Sequence, residues 1–484
     1  MEPEHVPYQR PEKRLVLCFD GTSNKFTGDE TDTNIVKIYE MLDRRSPNQY
    51  HYYQPGIGSY VEGQMSNSSS GNIITRIKDF LITSRDSAFG TNFVHHVIAG
   101  YQFLMRYYQE GDKIYIFGFS RGAYTARFLA EMITNIGLLS SGNEEMVRFA
   151  WTTFSDYQRS RGNDVVLKNF MIKFKDTFCR DNVQIHFLGL FDCVASVGQF
   201  EIPGFHTSLP YIQTIPAKHI RHVVSIHERR LKFKVSLFLF DPDAEVKADI
   251  KEVYFAGNHG DVGGGWACQG LNYLLSDIAL RWMVDEVLEL PETAHPLAWR
   301  RTKVNHMEQH EQDMEIKMSQ RLGVKAEEKT QMRKMLHDPL AFGAGLSWPK
   351  VLSWWLIEIL PFTFHVLVSG KWVPQHWPPN LGGGRDMPWG AEIHPSVGMM
   401  KRSKILTKEM MPKLGGRNPK EFYKSPWAWF WPFKGKKKQK QPQRDRPIGT
   451  YPEDDSEGGD SASTWSAGDI NFVVGAKGWA DALL

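Results

Sequence analysis

Residues 113–127 read K-I-Y-I-F-G-F-S-R-G-A-Y-T-A-R, an apolar run that passes through G-F-S-R-G at 118–122 into a helix-forming stretch. This is the G-x-S-x-G pattern of a nucleophile elbow, in which a serine lies at a sharp turn between a strand and a helix. A serine hydroxyl is a weak nucleophile at its ordinary pKa, so the turn must present it to a base and to a substrate carbonyl. Glycines on both sides leave room for the backbone to crowd against the turn. We therefore take Ser120 as the first candidate catalytic residue.

Apolar segments alternate with helical patterns over the first 290 residues, which is typical of an open, mostly parallel α/β sheet flanked by helices. Strands are predicted at 14–19, near Tyr52, and at 113–119, 183–191, 235–240 and 253–256, and helices at 33–45 and 93–108. The pattern excludes an all-α or an all-β fold.

Composition divides the chain into five regions. Residues 1–13 form a charged N-terminal tail, and 14–290 form the α/β core. Residues 291–433 are first charged and helical and then dense in tryptophan and proline, which suggests a cap or insertion. Residues 434–466 are basic and then acidic, and such a segment cannot bury enough apolar surface to offset its ordering entropy, so a disordered charged linker is predicted. Residues 467–484 regain apolar content and are expected to dock on the core.

Charge and cysteine content narrow the function classes. Of 484 residues, 58 are Lys or Arg and 55 are Asp or Glu, and a net charge of +3 is too small to indicate nucleic acid as a partner. The four cysteines show no C-x-x-C spacing, so neither a zinc site nor a disulfide framework is expected. The first 14 residues hold no apolar run of the kind a signal peptide needs, which favours a cytoplasmic location.

The most hydrophobic segment is 351–372, but Glu358, Pro361 and His365 interrupt it, so a transmembrane helix is not expected. Tryptophan suits the boundary between membrane and water. The segment is therefore either an interfacial lid that gives a peripheral membrane contact or an ordinary buried cap helix, and the sequence leaves both open.

A serine elbow needs a base and an acid that orients the base, and in α/β hydrolases these follow the serine in the order acid, histidine. Asp192 directly follows the apolar run L-G-L-F, and His259 lies in a glycine-rich loop just after the run V-Y-F-A. Both lie at carboxyl ends of predicted strands, the edge where open α/β sheets build their sites. We therefore predict an α/β-hydrolase-like fold with a triad of Ser120, Asp192 and His259.

The tetrahedral intermediate of acyl transfer carries an oxyanion that needs backbone N–H donors. One is expected from Arg121, directly after the nucleophile, and another from the loop of Asp20, Gly21 and Thr22 after the first strand.

Other residues compete for these roles. The competing acids are Asp181, Asp241, Asp243 and Asp261, and the competing bases are His186, His222 and His227. An aspartate-nucleophile phosphatase would need D-x-D-x-T at the end of the first strand, but Cys18 stands where its first aspartate should be. A metal site on Asp192, His259 and Asp261 is a further alternative, although no H-x-H or H-E-x-x-H pair supports it. We expect no metal and no cofactor.

Four segments together resemble an α/β hydrolase family of unknown function that includes the phospholipase effectors of the bacterial type VI secretion system. They are F-D-G-T-S-N at 19–24, G-D-K-I-Y-I-F-G-F-S-R-G-A-Y-T-A-R at 111–127, L-F-D-C-V-A-S-V-G at 190–198 and F-A-G-N-H-G-D-V-G-G-G at 255–265. The resemblance covers roughly residues 14–290. It implies a triad on Ser120, Asp192 and His259 and the hydrolysis of an ester or phospholipid.

The sequence thus predicts a serine esterase or lipase-like hydrolase that cleaves an acyl ester of a lipid or phospholipid through an acyl-enzyme intermediate. The alternative is a non-catalytic interaction or scaffold protein that retains the hydrolase fold. The expected partner is the acyl ester or lipid substrate, with no nucleic acid, and the oligomeric state is left open.

Overall fold

The structure is a computed structural model, and it describes part of the chain. The described residues are 10–22, 26–56, 87–160, 164–194, 215–238, 249–267, 274–290, 297–303, 333–360, 362, 364–368, 371–375, 377–388, 391–402, 405–414 and 471–472. The expected linker 434–466, residues 1–9 of the expected tail and nearly all of 467–484 lie outside these ranges. Among the helices that are described, none combines the length and the apolar character that crossing a membrane requires.

Twelve strands occur in the described residues. They are β1 (Arg14–Phe19), β2 (Gln49–Gln54), β3 (Lys113–Phe119), β4 (Ile185–Phe191), β5 (Ala217–Ser225), β6 (Asp249–Phe255), β7 (Phe364–Val368), β8 (Lys371–Gln375), β9 (Asp386–Met387), β10 (Glu392–Ile393), β11 (Lys413–Leu414) and β12 (Asn471–Phe472). Eight of them form one sheet in the order β12-β10-β6-β5-β4-β3-β1-β2, and every pairing in it is parallel. The strands therefore end at one common edge.

Helices cover both faces of this sheet. They are α1 (Asn34–Met41), α2 (Ser87–Tyr107), α3 (Arg121–Ile136), α4 (Val147–Arg159), α5 (Val165–Phe178), α6 (His259–Gly263), α7 (Leu275–Leu288), α8 (Trp348–Ile359) and α9 (Pro395–Arg402). The architecture is that of an α/β-hydrolase-like fold, as the sequence predicts.

Side chains alternate between two cores along each central strand. In β1, Leu15 and Leu17 belong to the core beneath α2 and α3, whereas Val16 and Cys18 belong to the core beneath α1 and α7. Successive residues of a strand point to opposite faces, so a strand buried on both faces is usually rich in apolar residues. This is why β1, β3 and β4 are recognisable as nearly continuous apolar runs.

Up to residue 290, one predicted strand is wrong and one strand was missed; beyond it, strands β7 to β12 were not predicted. In place of a strand at 235–240, the described residues 235–238 show only an isolated bridge between Val235 and Val194. The missed strand is β5, with the sequence A-K-H-I-R-H-V-V-S, which looks too polar for a buried strand. It is buried because its polar side chains are paired within the fold.

Two of those side chains show how β5 tolerates burial. Arg221 donates from Nε to Glu286 and from Nη2 to Asp249 at 3.0 Å, while His222 lies 2.7 Å from the Glu252 carboxylate through Nδ1. Buried charges are retained when they are paired and hydrogen-bonded. β5 lies between β4 and β6, so it sets the distance between the loops that follow those two strands.

Part of the segment expected to form a cap joins the central sheet. Strand β10 pairs with β6. Strands β7 and β8 form an antiparallel hairpin, and Phe364 and Val366 of that hairpin pack with Ile357 of α8 and with Leu231 in a separate apolar cluster. The domain boundaries proposed from composition remain predictions.

We predict that Arg221→Met destabilises the protein by about 3 kcal/mol, because it leaves the buried Glu286 carboxylate without its closest cation. Lys251→Met is the matched control, since Lys251 also binds Glu286 but is 37% exposed at its side chain. Its loss should cost less than about 1 kcal/mol. Urea denaturation of both variants measures the difference. Equal destabilisation by the two variants would contradict this account of β5.

Candidate active site

Ser120 lies at the turn between β3 and α3, as the elbow pattern predicts. Its φ of 59° and ψ of −125° place a residue with a side chain in the left-handed half of backbone space, which costs energy. The Ser120 N–H donates to Phe191 O at 3.0 Å, and Ser120 O accepts from the N–H of Tyr124 at 3.3 Å. Neighbouring elements therefore hold the strained turn in place.

The two glycines of the elbow are required by close backbone approach. A Cβ on Gly118 would lie 2.5 Å from Cα of Ala123. A Cβ on Gly122 would lie 2.3 Å from Phe19 O and 2.4 Å from Asp20 O. The start of α3 is thus pressed against both its own strand and the end of β1.

The structure brings Ser120, His259 and Asp192 together. His259 Nε2 lies 2.7 Å from Ser120 Oγ, and His259 Nδ1 lies 2.6 Å from Asp192 Oδ2. All three side chains are buried, with Asp192 fully so. The three residues follow β3, β4 and β6, whose carboxyl ends share one edge of the sheet.

The orientation of His259 is fixed by its local structure and by two aromatic rings. His259 is the first residue of α6, which Asn258 caps by accepting from the N–H of Asp261 at 3.0 Å. The imidazole stacks on Phe119 at 4.7 Å between ring centroids, and Phe233 lies 4.6 Å away. Packing on two sides restricts the imidazole to the rotamer that contacts Ser120.

Burial and charge act on the two titratable groups differently. Burial alone would raise the pKa of Asp192, but the positive charge of Arg385 and hydrogen bonds from His259 and Arg385 outweigh it and hold that pKa well below its usual range. For His259 burial is the larger effect, and it lowers the pKa even though Asp192 favours the protonated imidazole. The arrangement is a neutral imidazole between a hydroxyl and an ionised carboxylate.

Arg385 is the site residue that sequence reasoning missed. Its Nη1 donates to Asp192 Oδ1 at 2.6 Å and its Nη2 donates to Asp192 Oδ2 at 2.9 Å. An isolated arginine carries no motif, but the run G-G-G at 382–384 just before it is a signal. A Cβ on Gly384 would lie 2.4 Å from Met411 O, so the run lets two backbones pack closely where the chain reaches the site.

The competing histidines and acids lie elsewhere in the fold. His222 binds Glu252, and its Nε2 accepts from the N–H of Cys193 at 3.1 Å. His227 Nδ1 accepts from the N–H of Gly257 at 3.0 Å. The remaining competitors that are described also have other surroundings: Asp261 binds His337, His186 packs on Tyr115 and His219, and Asp181 lies in an exposed turn. Asp241 and Asp243 lie outside the described residues.

The loop of Asp20, Gly21 and Thr22 lies against the start of α3, where Arg121 is the first helical residue. The Asp20 N–H donates to Gln54 O at 2.9 Å, and the Gly21 N–H donates to Asp20 Oδ1 at 2.6 Å. Thr22 Oγ1 is buried and has no hydrogen-bond partner among the described residues. The N–H groups of Asp20 and Gly21 are therefore engaged in this structure, which leaves Thr22 as the residue of the loop whose hydroxyl can donate.

The Asp20 carboxylate holds this loop together. It accepts from Thr33 Oγ1 and from the Tyr53 hydroxyl, each at 2.8 Å, in addition to the N–H of Gly21. Burial raises the pKa of Asp20 to about 6. In the part of the chain that the structure describes, no three His, Cys, Asp or Glu side chains are grouped so that they could hold a metal ion.

Comparison with known proteins identifies relatives of this chain. Residues 13–286 match the family described as "T6SS, Phospholipase effector Tle1-like, catalytic domain". An uncharacterized protein of Saccharomyces cerevisiae is 42% identical over 230 residues, which is 47% of this chain and 33% of the yeast protein. The match thus spans only a third of that relative's length.

Two solved structures are similar over about half of this chain. One is an uncharacterized protein from Pseudomonas aeruginosa, with 19% identity, 56% of this chain and 45% of that chain covered, and a TM-score of 0.30. The other is the Tle1 effector bound to the VgrG spike of the type 6 secretion system, with 16% identity, coverage of 55% and 56%, and a TM-score of 0.27.

We predict that Gly122→Ala destabilises the protein by more than about 3 kcal/mol, because the new Cβ meets two backbone oxygens that cannot move aside. Gly142→Ala is the matched control. Gly142 has a φ of 95° but open space around its Cα, so an added methyl costs only the conformational penalty of about 1–2 kcal/mol. Thermal unfolding distinguishes the two variants, and a Gly122→Ala protein as stable as the control would contradict the close approach.

Proposed function

The chain belongs to the family of Tle1-like phospholipase effector catalytic domains, and on that premise we propose that it is a serine hydrolase that cleaves the acyl ester of a lipid or phospholipid. The observation that carries the proposal is the position of His259, which lies within hydrogen-bond distance of both Ser120 and Asp192. Acyl transfer requires a nucleophile in contact with a base, and the base in contact with an acid that orients it.

In the proposed mechanism, His259 Nε2 takes the proton of Ser120 Oγ as that oxygen attacks the ester carbonyl. Asp192 holds the proton on Nδ1 and stabilises the imidazolium that forms. The imidazolium then gives its proton to the departing alcohol, which leaves an acyl group on Ser120. Water, deprotonated by His259, attacks the acyl-enzyme, and Ser120 recovers its proton as the fatty acid departs.

The oxyanion of each tetrahedral intermediate needs donors beside Ser120. We assign the N–H of Arg121 and the loop of Asp20, Gly21 and Thr22 to this role. The Thr22 hydroxyl supports the loop assignment, since it is buried without a hydrogen-bond partner among the described residues and lies in the loop that contacts the start of α3. The hydrogen bond from Gly21 to Asp20 keeps the loop in the shape that presents this hydroxyl.

A scaffold protein that merely retains the fold is the alternative. The backbone of Ser120 argues against it. A serine at φ 59° costs on the order of 1–3 kcal/mol, and a protein with no use for a hydroxyl at the turn would gain stability by replacing the serine with glycine.

We further propose that α8 makes a peripheral contact with the lipid surface that supplies the substrate. Trp348, Leu352, Leu356 and Ile359 recur at helical spacing and are 43–66% exposed, which forms an apolar stripe on the outer face. On the inner face, Trp354 packs 5.7 Å from Phe233, the ring that contacts His259. The stripe is therefore one aromatic layer away from the catalytic histidine.

The hydrogen bonds that attach α8 to the rest of the protein favour a fixed lipid-contacting helix over a mobile lid. The buried carboxylate of Glu358 accepts from the N–H of Leu231 at 2.6 Å, from Asn380 Nδ2 at 2.6 Å and from the N–H of Gly382 at 3.1 Å. Moving α8 away from the protein would break these three hydrogen bonds and separate the carboxylate from its three donors, which costs free energy.

We predict that a fluorophosphonate probe labels the wild-type protein and that Ser120→Ala abolishes labelling and lowers ester hydrolysis by about 10⁴-fold or more. Ser141→Ala, which changes an exposed serine in a turn, is the matched control and should label like the wild type. Gel fluorescence and release of p-nitrophenol from a short-chain ester measure the two effects. A folded wild-type protein that is neither labelled nor active would favour the scaffold reading.

The proposed contact of α8 with the lipid surface leads to a separate prediction. The double variant Leu352→Asp, Leu356→Asp should lose about tenfold or more of its activity on phospholipid vesicles, because charged side chains oppose insertion into the lipid interface. Its activity on a soluble short-chain ester should be unchanged. Ile172→Asp is the control, since Ile172 is 50% exposed on α5 outside the stripe. Equal loss on both substrates, or none on vesicles, would exclude a role of α8 at the lipid surface.

A further inference from the structure

Arg385 reaches the site from chain that lies far beyond the family match, which ends at residue 286. Its two terminal nitrogens contact the two oxygens of Asp192, at 2.6 and 2.9 Å. The side chains are 2% and 0% exposed. A planar guanidinium paired in this way fixes the plane of the carboxylate as well as its position.

The same guanidinium connects two further elements of the site. Nη1 donates to Ser225 O at 2.8 Å, at the end of β5, and Nη2 donates to Phe233 O in the turn that packs on His259. Asp192 itself receives one more bond, from the N–H of Ser225 at 2.9 Å. Arg385 therefore ties the acid, the neighbouring strand end and the aromatic turn into one unit.

We propose that Arg385 is a positioning residue of the active site, which aligns the Asp192 carboxylate with His259 and offsets its negative charge so that the imidazole stays unprotonated and able to act as a base. This inference rests on the proposed function, since it assigns His259 the role of base. It also means that the site extends beyond the family-matched catalytic region.

The charges around His259 make the effect on proton binding predictable. On one side Asp192 is paired with Arg385. On another side, Glu228 Oε2 accepts a hydrogen bond from the backbone N–H of His259 at 3.2 Å, and the same oxygen is paired with Arg230 at 2.7 Å. The other described side chains shown in contact with the imidazole, Ser120, Phe119 and Phe233, carry no charge. With both pairs intact the surroundings are balanced, and removal of the Arg385 charge would leave one excess negative charge beside the imidazole.

Excess negative charge favours the protonated form of the coupled His259–Asp192 pair, whichever of the two holds the proton. The sign of the change follows directly. The base is active only when it is deprotonated, so the rise of kcat/KM with pH should move to higher pH when Arg385 is neutralised. A role limited to stability would lower the amount of folded enzyme without moving this rise.

The test compares Arg385→Gln, which removes the charge but keeps a donor, with Arg385→Lys, which keeps the charge but loses the paired geometry. Arg229→Gln is the matched control. Arg229 is also buried and binds a carboxylate, Asp338, at 2.5 Å, and its Nε donates to Gly382 O at 2.8 Å rather than to a residue of the triad. For each full-length protein, kcat/KM on a soluble p-nitrophenyl ester is measured from pH 5 to 9, with folding checked by circular dichroism.

We expect the midpoint of the rise to lie about one pH unit or more higher in Arg385→Gln than in the wild type, and to stay in place in Arg229→Gln. In Arg385→Lys the midpoint should stay within about 0.3 unit while kcat/KM falls about fivefold or more. A folded Arg385→Gln enzyme with an unmoved midpoint overturns the proposal. If Arg385→Gln does not fold, Arg385→Lys tests the proposal instead. A kcat/KM equal to that of the wild type, or a midpoint raised by about one pH unit, in Arg385→Lys would then contradict the proposal. An inactive, unlabelled wild type would instead contradict the proposed function itself.

Discussion

The fully buried carboxylate of Asp192 is the constraint on which the site depends. A lone carboxylate in such a place would be protonated, and a neutral acid could not stabilise a positive imidazole. Arg385 supplies the charge that keeps it ionised, and the N–H of Ser225 supplies a further donor. The site therefore needs three strand ends and a residue from a distant segment to meet before the acid can do its work.

The parallel sheet explains why so much of this could be predicted. Strands β1, β3 and β4 are nearly continuous apolar runs, so their ends can be recognised in the sequence, and parallel strands place those ends at one edge of the sheet. Ser120 and Asp192 directly follow such ends. His259 follows the legible end of β6, and a glycine-rich loop made it stand out. The alternation of strands and helices in the sequence was therefore enough to predict that these three residues lie at one edge of the sheet.

What was missed has a physical reason as well. Strand β5 could not be recognised because Arg221, His219 and His222 form hydrogen bonds with partners 28 to 65 positions away, and no local window of sequence contains those contacts. Arg385 is a more extreme case, with 193 positions between it and Asp192. Its role depends on a contact between segments, and hydrophobic periodicity carries no information about such contacts.

That separation bears on how the protein comes into being. During synthesis Ser120, Asp192 and His259 leave the ribosome long before Arg385. Strand β10, which extends the sheet beside β6, follows Arg385 by a few residues. Contacts between distant segments form late and slowly. A nascent chain would thus hold Asp192 without its paired guanidinium until 385 residues had been made, so the proposed triad could be completed only after that point.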